Sequence, residues 1–462
     1  MTITVQFLIY SAIWIITFSI YIYAIKKYSF RTIGLSLVYL FNFSIVHFWG
    51  SVFFISPGYW NNQLEETITG YKYSTIAFVC FCIGSLVFYF NWGKNNKLNE
   101  NQIRYHKIGE EPLLYFLMGF VLFFILKNKI IGIPTLTAFV SMGQQLLIVG
   151  LCLLLYKNYY LGRKFTFSFL IIFSFLIPFI TIINDGLLGT GLAMFLTVIV
   201  FLTNFYKFNF RYLMIVLIGI FVGLSFYQSY LRDRQEIRDL VYGGATISER
   251  VEQLNYTLTN LELFNPFDSE HLDRINNRLN QNWIVGAAVI YMESESEEYA
   301  KGATFKEAVF NVVPRVIWKN KPSFAGDTSR VEKYTGLKFA EGTSVGMPQV
   351  MELYINYAVY SVILGFFFIG LIFSYFDYKA HIKIHNGEFD KFVYYFLPAL
   401  AFMRVETPIL ESISGAAAGI GIAYGLQKLP KQYNSIIFLI LFFISLIFIL
   451  KKYYLPLIQN LL

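Results

Sequence analysis

Pro314-Arg315-Val316-Ile317-Trp318-Lys319-Asn320-Lys321-Pro322-Ser323 opens a Gly-, Thr- and charge-rich segment that re-enters apolar sequence at Glu352-Leu353-Tyr354-Ile355-Asn356-Tyr357. A basic, proline-bracketed polar segment thus feeds a membrane-length apolar helix with a carboxylate and an amide in its first turns. Such an arrangement places cations beside an acid at a membrane surface. The fold class turns on whether the rest of the chain supplies matching apolar helices.

It does. Of 462 residues, 56% are hydrophobic, 19% aromatic and 14% charged, against about a quarter charged in soluble domains. Apolar runs of about 20 residues, each able to cross roughly 30 Å of hydrocarbon, recur along the chain. They fall near 4–24, 34–55, 73–91, 112–127, 134–156, 165–183, 187–206, 212–231, 349–375, 392–411, 413–427 and 433–450. None alternates as a β-barrel strand would. The expected fold is an all-α polytopic membrane protein with about 12 transmembrane helices. The net charge of +8 then reflects positive-inside bias and attraction to the lipid bilayer, not nucleic acid. Cys80, Cys82 and Cys152 sit inside apolar runs and read as small core residues. No basic residue precedes Lys26, so the first run reads as a retained span.

Basic residues cluster at every second boundary, among them Lys26, Lys27 and Arg31, then Lys157, Arg163 and Lys164, then Lys379, Lys383 and Lys391. Placing these in the cytoplasm puts both termini and the large 232–348 loop outside. Three regions follow: an N-terminal bundle over 1–231 of about eight spans, the external loop over 232–348, and a C-terminal bundle over 349–462 of about four. Within the loop, Val251, Leu254, Leu258 and Leu261 predict an amphipathic helix on the bilayer or on the bundle. A second helix is expected over 272–291 and a third over 304–313, stopped by Pro314.

Candidate site residues come from cations near the membrane. Arg404 lies in an apolar run, shares a helical face with Glu411, and leaves Glu406 pointing elsewhere. It reads either as half of a structural ion pair or as a guanidinium fork for phosphate, with a carboxylate handling a proton. Arg232 and Arg234 follow Tyr227 and Tyr230 and read either as interfacial anchors or as functional cations. Arg315 and Lys321 fit a rigid turn on head groups, Trp318 an interface anchor, and Glu352 a cap on its own helix. His381 and His385 have metal-ligand spacing but no third ligand and read as a solvated helix. Neither a Gly-rich phosphate loop nor a nucleophile elbow occurs, and Asp233 and Asp327 form no Asp-x-Asp pair.

The order Pro-Arg-x-x-Trp-x-x-Lys-Pro, then Glu-x-Tyr-x-Asn-aromatic, then an apolar-run Arg near the C-terminus resembles the Wzy-type O-antigen and oligosaccharide repeat-unit polymerase family. Two Arg-x10-Gly spacings, Arg232 to Gly243 and Arg404 to Gly415, are similar to ones in that family. Two departures stand out. Ala358 occupies a position where the family often has Gly, and Asn184-Asp185-Gly186 lacks a following Arg. The resemblance implies a GT-C-like architecture in a bacterial plasma membrane, with the active site on the external side. It implies a glycosyltransferase that polymerises polyprenyl-diphosphate-linked oligosaccharides without cofactor or metal, alongside a flippase and a chain-length regulator. Arg404, with Arg232 or Arg234, would hold the diphosphate. Arg315 and Lys321 would orient the substrate with Trp318, Tyr354 and Asn356, and Glu352 or Glu406 would be the base. A ligase of the same plan and a lipid-linked sugar transporter are the competing expectations. The transporter is disfavoured by the absence of an internal repeat.

Overall fold

Long apolar runs in this chain become helices because an unpaired backbone group in hydrocarbon costs several kcal/mol. The computed structural model describes residues 2–56, 59–94, 111–126, 134–206, 213–313, 318, 320, 327–340, 343 and 345–428. The first helices are α1 (Ile3–Tyr28), α2 (Leu35–His47), α3 (Trp49–Val52), α4 (Leu64–Trp92), α5 (Glu111–Phe120), α6 (Pro134–Tyr160), α7 (Lys164–Asp185) and α8 (Leu188–Leu202). α9 (Leu213–Tyr242) then leads into α10 (Ile247–Thr259), α11 (Ser269–Leu279), α12 (Asn282–Glu293), α13 (Ala303–Val312) and α14 (Asp327–Thr335). The chain returns through α15 (Gln349–His385), α16 (Phe389–Leu400) and α17 (Ile409–Lys428). Among the described residues there is no strand, and five segments are long and apolar enough to cross a membrane. These are Ile3–Tyr28, Leu35–Ile55, Leu64–Trp92, Lys164–Asp185 and Gln349–His385. The run expected at 433–450 lies outside the described residues.

The described parts of the basic loops meet at one end of the bundle. There the Arg31 N–H donates to the Gly93 carbonyl (3.0 Å), and the amide of Gln427 to that of Asp390 (3.3 Å). His381 and His385 are not solvated. Their rings stack 4.1 Å apart, and Nδ1 of His381 lies 3.0 Å from the Thr32 carbonyl oxygen. Asp377, fully buried on α15, organises this end. Its carboxylate accepts from the backbone N–H groups of Ile33 (2.6 Å), Gly34 (3.1 Å) and Ser36 (3.3 Å), and from the hydroxyls of Thr32 and Tyr89 (both 2.7 Å). It thereby caps α2 from outside that helix.

The far end carries the helices of the 232–348 segment. α10 begins with a capping box between Thr246 and Glu249. It lies on the bundle, where Leu254 packs among Ile182, Leu188, Tyr230 and Ile237, and Gln253 donates to Glu236 of α9. The helix expected over 272–291 is two, parted at Asn280–Gln281, where the Gln281 N–H is taken by the Val46 carbonyl (2.9 Å). The second of the two, α12, is buried against α4. A Cβ on Gly286 would fall 1.7 Å from the Glu66 carbonyl oxygen, and one on Gly70 1.9 Å from that of Asn282. Only glycine lets these backbones approach so closely.

Two expected spans are broken. α15 is interrupted at Tyr357 (φ −145°, ψ 40°) and Ala358 (φ 51°, ψ −145°). Asn356 drives the break: its amide accepts from the Gly302 N–H (2.9 Å) and donates to the Thr304 hydroxyl (2.8 Å). The Ser361 hydroxyl donates back to the Leu353 and Ala358 carbonyls. The run expected as one span over 392–411 ends as helix at Leu400 and resumes only at Ile409. Pro408 has no N–H to continue the ladder, and both the N–H and hydroxyl of Thr407 turn back to the Arg404 carbonyl. α16 and α17 therefore form a hairpin whose irregular tip is 401–408.

Ala358 occupies backbone space that is essentially reserved for glycine. Ala358→Gly is expected to stabilise the protein by about 1 kcal/mol, seen as a higher unfolding temperature in detergent. Ala358→Val should lower it.

Candidate functional site

A cavity of about 390 Å³ lies where the hairpin tip meets the helices of the 232–348 segment. Its floor is the outer half of α2, through Asn42 and Val46, and the start of α8. One wall is Tyr227 of α9 with Arg278 and Leu279 from the last turn of α11. Asp327, the first residue of α14, lines it as well, with Arg404, Glu406 and Glu411. Extended residues 345–348 run beside the tip, and the Gln349 N–H donates to the Val405 carbonyl (3.2 Å).

Arg404 is 50% exposed, with Nε 3.5 Å from Glu406 Oε1. The irregular tip, not a helical face, sets this pairing, so the expectation that Glu406 points away is corrected. Glu411 lines the same cavity from the first turn of α17. Asp327 lies 3.7 Å from Arg330, which is buried and held to Glu307 of α13 at 2.6 Å. Burial and then the nearby Glu411 carboxylate push the Asp327 carboxyl up to about 6, against the pull of Arg330 and Arg404. Arg278, which also lines the cavity, forms no ion pair among the described residues. Behind it, burial and the charges of Arg278 and Arg238 hold the Arg234 guanidinium below its ordinary value, partly offset by Tyr230. Like charges gathered this way favour an anionic ligand.

The residues singled out from sequence fall into distinct places. Arg404 and Glu406 line the cavity. Arg232 does not line it: its guanidinium is taken by Asp233 (2.7 Å), Glu262 (2.6 Å) and the Asn260 carbonyl (3.0 Å). Glu352 is fully buried and caps α17, not its own helix, by accepting the Ile409 N–H. Tyr354 donates to Glu293 (2.9 Å), which also receives the Tyr73 hydroxyl (3.3 Å). Asn356 holds the break in α15, and Trp318 packs edge-on against Phe310. Arg315 and Lys321 lie outside the described residues. Sequence reasoning did not nominate Arg278 or Asp327, and it noted Glu411 only as a neighbour of Arg404. Asp327 begins a short helix and Arg278 ends one, so each looks like ordinary dipole pairing at a helix terminus.

Two arginines lining the cavity together with a carboxyl pushed up to about 6 suit an anionic substrate and a proton acceptor. Among the described residues no group of three or more His, Cys, Asp or Glu is placed to hold a metal ion. No family model matches the chain, and no curated protein or solved structure is significantly similar to it.

Removing the neighbouring negative charge with Glu411→Gln should move the Asp327 midpoint below about 6, whereas removing a cation with Arg404→Ala should raise it. Infrared difference spectra across pH, with the band assigned by Asp327→Asn, measure both shifts.

Proposed function

We propose that this chain is a membrane glycosyltransferase that joins polyprenyl-diphosphate-linked oligosaccharide units into a longer glycan. The observation that carries the reading is one cavity holding Arg404 and Arg278 together with Asp327, whose carboxyl burial and Glu411 push up to about 6. The sequence resemblance to oligosaccharide polymerases supports the substrate class, and about 12 spans in a GT-C-like arrangement is the finer architecture that goes with it. The cavity then opens on the external side of a bacterial plasma membrane, because the basic loops meet at the other end.

In this reading an acceptor hydroxyl oxygen bonds to the anomeric carbon of the donor sugar. The bond from that carbon to the diphosphate oxygen breaks, and its electron pair leaves with the diphosphate. Arg404 and Arg278 stabilise the charge gathering on the leaving group, with Arg234 reinforcing the field from behind. Asp327 takes the hydroxyl proton, the role first assigned to Glu352 or Glu406. Glu406 steadies Arg404, and Glu352 holds the hairpin that presents it. Since Asp327 works only as the carboxylate, the rate rises with pH through about 6 and then levels.

Supplied with lipid-linked repeat units alone, purified protein should form long chains, which distinguishes polymerisation from ligation to another acceptor. Asp327→Asn should lower the rate by about 10²- to 10⁴-fold and abolish the acidic limb of the pH profile. In cells, Arg404→Ala or Arg278→Ala should remove long chains while single units remain. Loss of every surface unit, or full activity of Asp327→Asn, would count against the proposal.

A further inference from the structure

Between α10 and α11 the chain makes a compact turn over 260–268 that the proposed chemistry does not use. Leu263 is 65% exposed and Phe267 83%, among the most exposed large apolar side chains of the external region. The turn is not loose. The Phe267 N–H donates to Asn265 Oδ1 (3.1 Å), the Asp268 N–H to the Asn265 carbonyl (3.2 Å), and the Asn265 N–H to His271 Nδ1 (3.1 Å). Pro266 restricts it further. A rigid turn that holds a phenylalanine out of the fold has a surface to meet.

The height of the turn on α9 identifies that surface. The Phe264 N–H donates to the Ser225 hydroxyl and the Glu262 N–H to the Ser229 hydroxyl, both at 2.9 Å. Below Ser225, α9 presents exposed Met214, Leu217, Ile218, Phe221 and Val222, a surface suited to lipid. Level with Ser229 and above it lies a charged ring in which Arg232 and Arg274 both engage Glu262. The change from apolar to ionic surface therefore falls between Ser225 and Ser229. Leu263 lies on that line, between the two bonds, and Phe267 projects from the same turn.

We propose that the 260–268 turn is a membrane anchor, with Leu263 and Phe267 seated in the lipid leaflet at the cavity end of the bundle. Apolar side chains enter such a leaflet to about 5–10 Å. Arg232, Glu262 and Arg274 stay at the water side and stop the turn from sinking deeper. The anchor holds whichever reaction the cavity performs.

The test uses the full chain in nanodiscs of phosphatidylcholine and phosphatidylglycerol that carry a nitroxide near the top of the acyl chain. Leu263→Cys, Phe267→Cys and the control Glu270→Cys are labelled with an environment-sensitive fluorophore, and the unsubstituted chain gives the background from its own thiols. Labels at 263 and 267 should emit at shorter wavelength and be quenched several-fold by the nitroxide lipid, and the label at 270 should do neither. A water-like, unquenched label at 267 would overturn the anchor. So would a blue-shifted label insensitive to nitroxide lipid, since a second copy or another protein would then cover the turn.

Discussion

The carboxylate of Glu352 reaches across from one broken helix to accept the Ile409 N–H that begins another. As the first N–H of α17, that of Ile409 has no partner within its own helix, and in a buried site an unsatisfied N–H costs about 1–3 kcal/mol. A charged acceptor strengthens the bond and also opposes the positive end of the helix dipole. Because Glu352 belongs to the fully buried first turns of α15, this contact fixes the height of the hairpin tip against the rest of the bundle. Arg404, Glu406 and Glu411 owe their common orientation to it.

α15 uses the same device twice. Near one end Glu352 caps α17, and toward the other Asp377 caps α2, each from a neighbouring helix. The outer half of α2 forms the cavity floor and the start of α17 forms one wall. One helix thus positions two sides of the site through buried carboxylates. Acids held this way act on structure even though their residue type and membrane setting suggest chemistry. Asp327 differs because it faces open space beside another carboxylate.

Much of the fold was legible in the sequence. Apolar run length gave the all-helical membrane class, helical spacing from Val251 to Leu261 gave α10, although the helix ends at Thr259 and leaves Leu261 beyond it, and Pro314 marked the limit of the third loop helix. The break at Pro408 had a visible cause, but its effect on Arg404 did not, since a helical wheel assumes the helix continues. The break at Tyr357–Ala358 contains neither proline nor glycine and comes from Asn356 bonding to Gly302 and Thr304, some fifty residues away. Arg404 could be found because an arginine in an apolar run is conspicuous. Arg278 and Asp327 sit in polar surroundings in the sequence, and only the fold brings them to the same space.

The contact between Gly70 and Gly286 bears on how the chain is assembled. α4 emerges from synthesis long before α12, yet its surface at Gly70 is complementary to α12 backbone and not to lipid. That slot stays vacant while the intervening residues are made, and it is filled only once α12 has been synthesised. The α4–α12 contact is therefore a late step of assembly, and a chain halted before it would leave that groove unfilled.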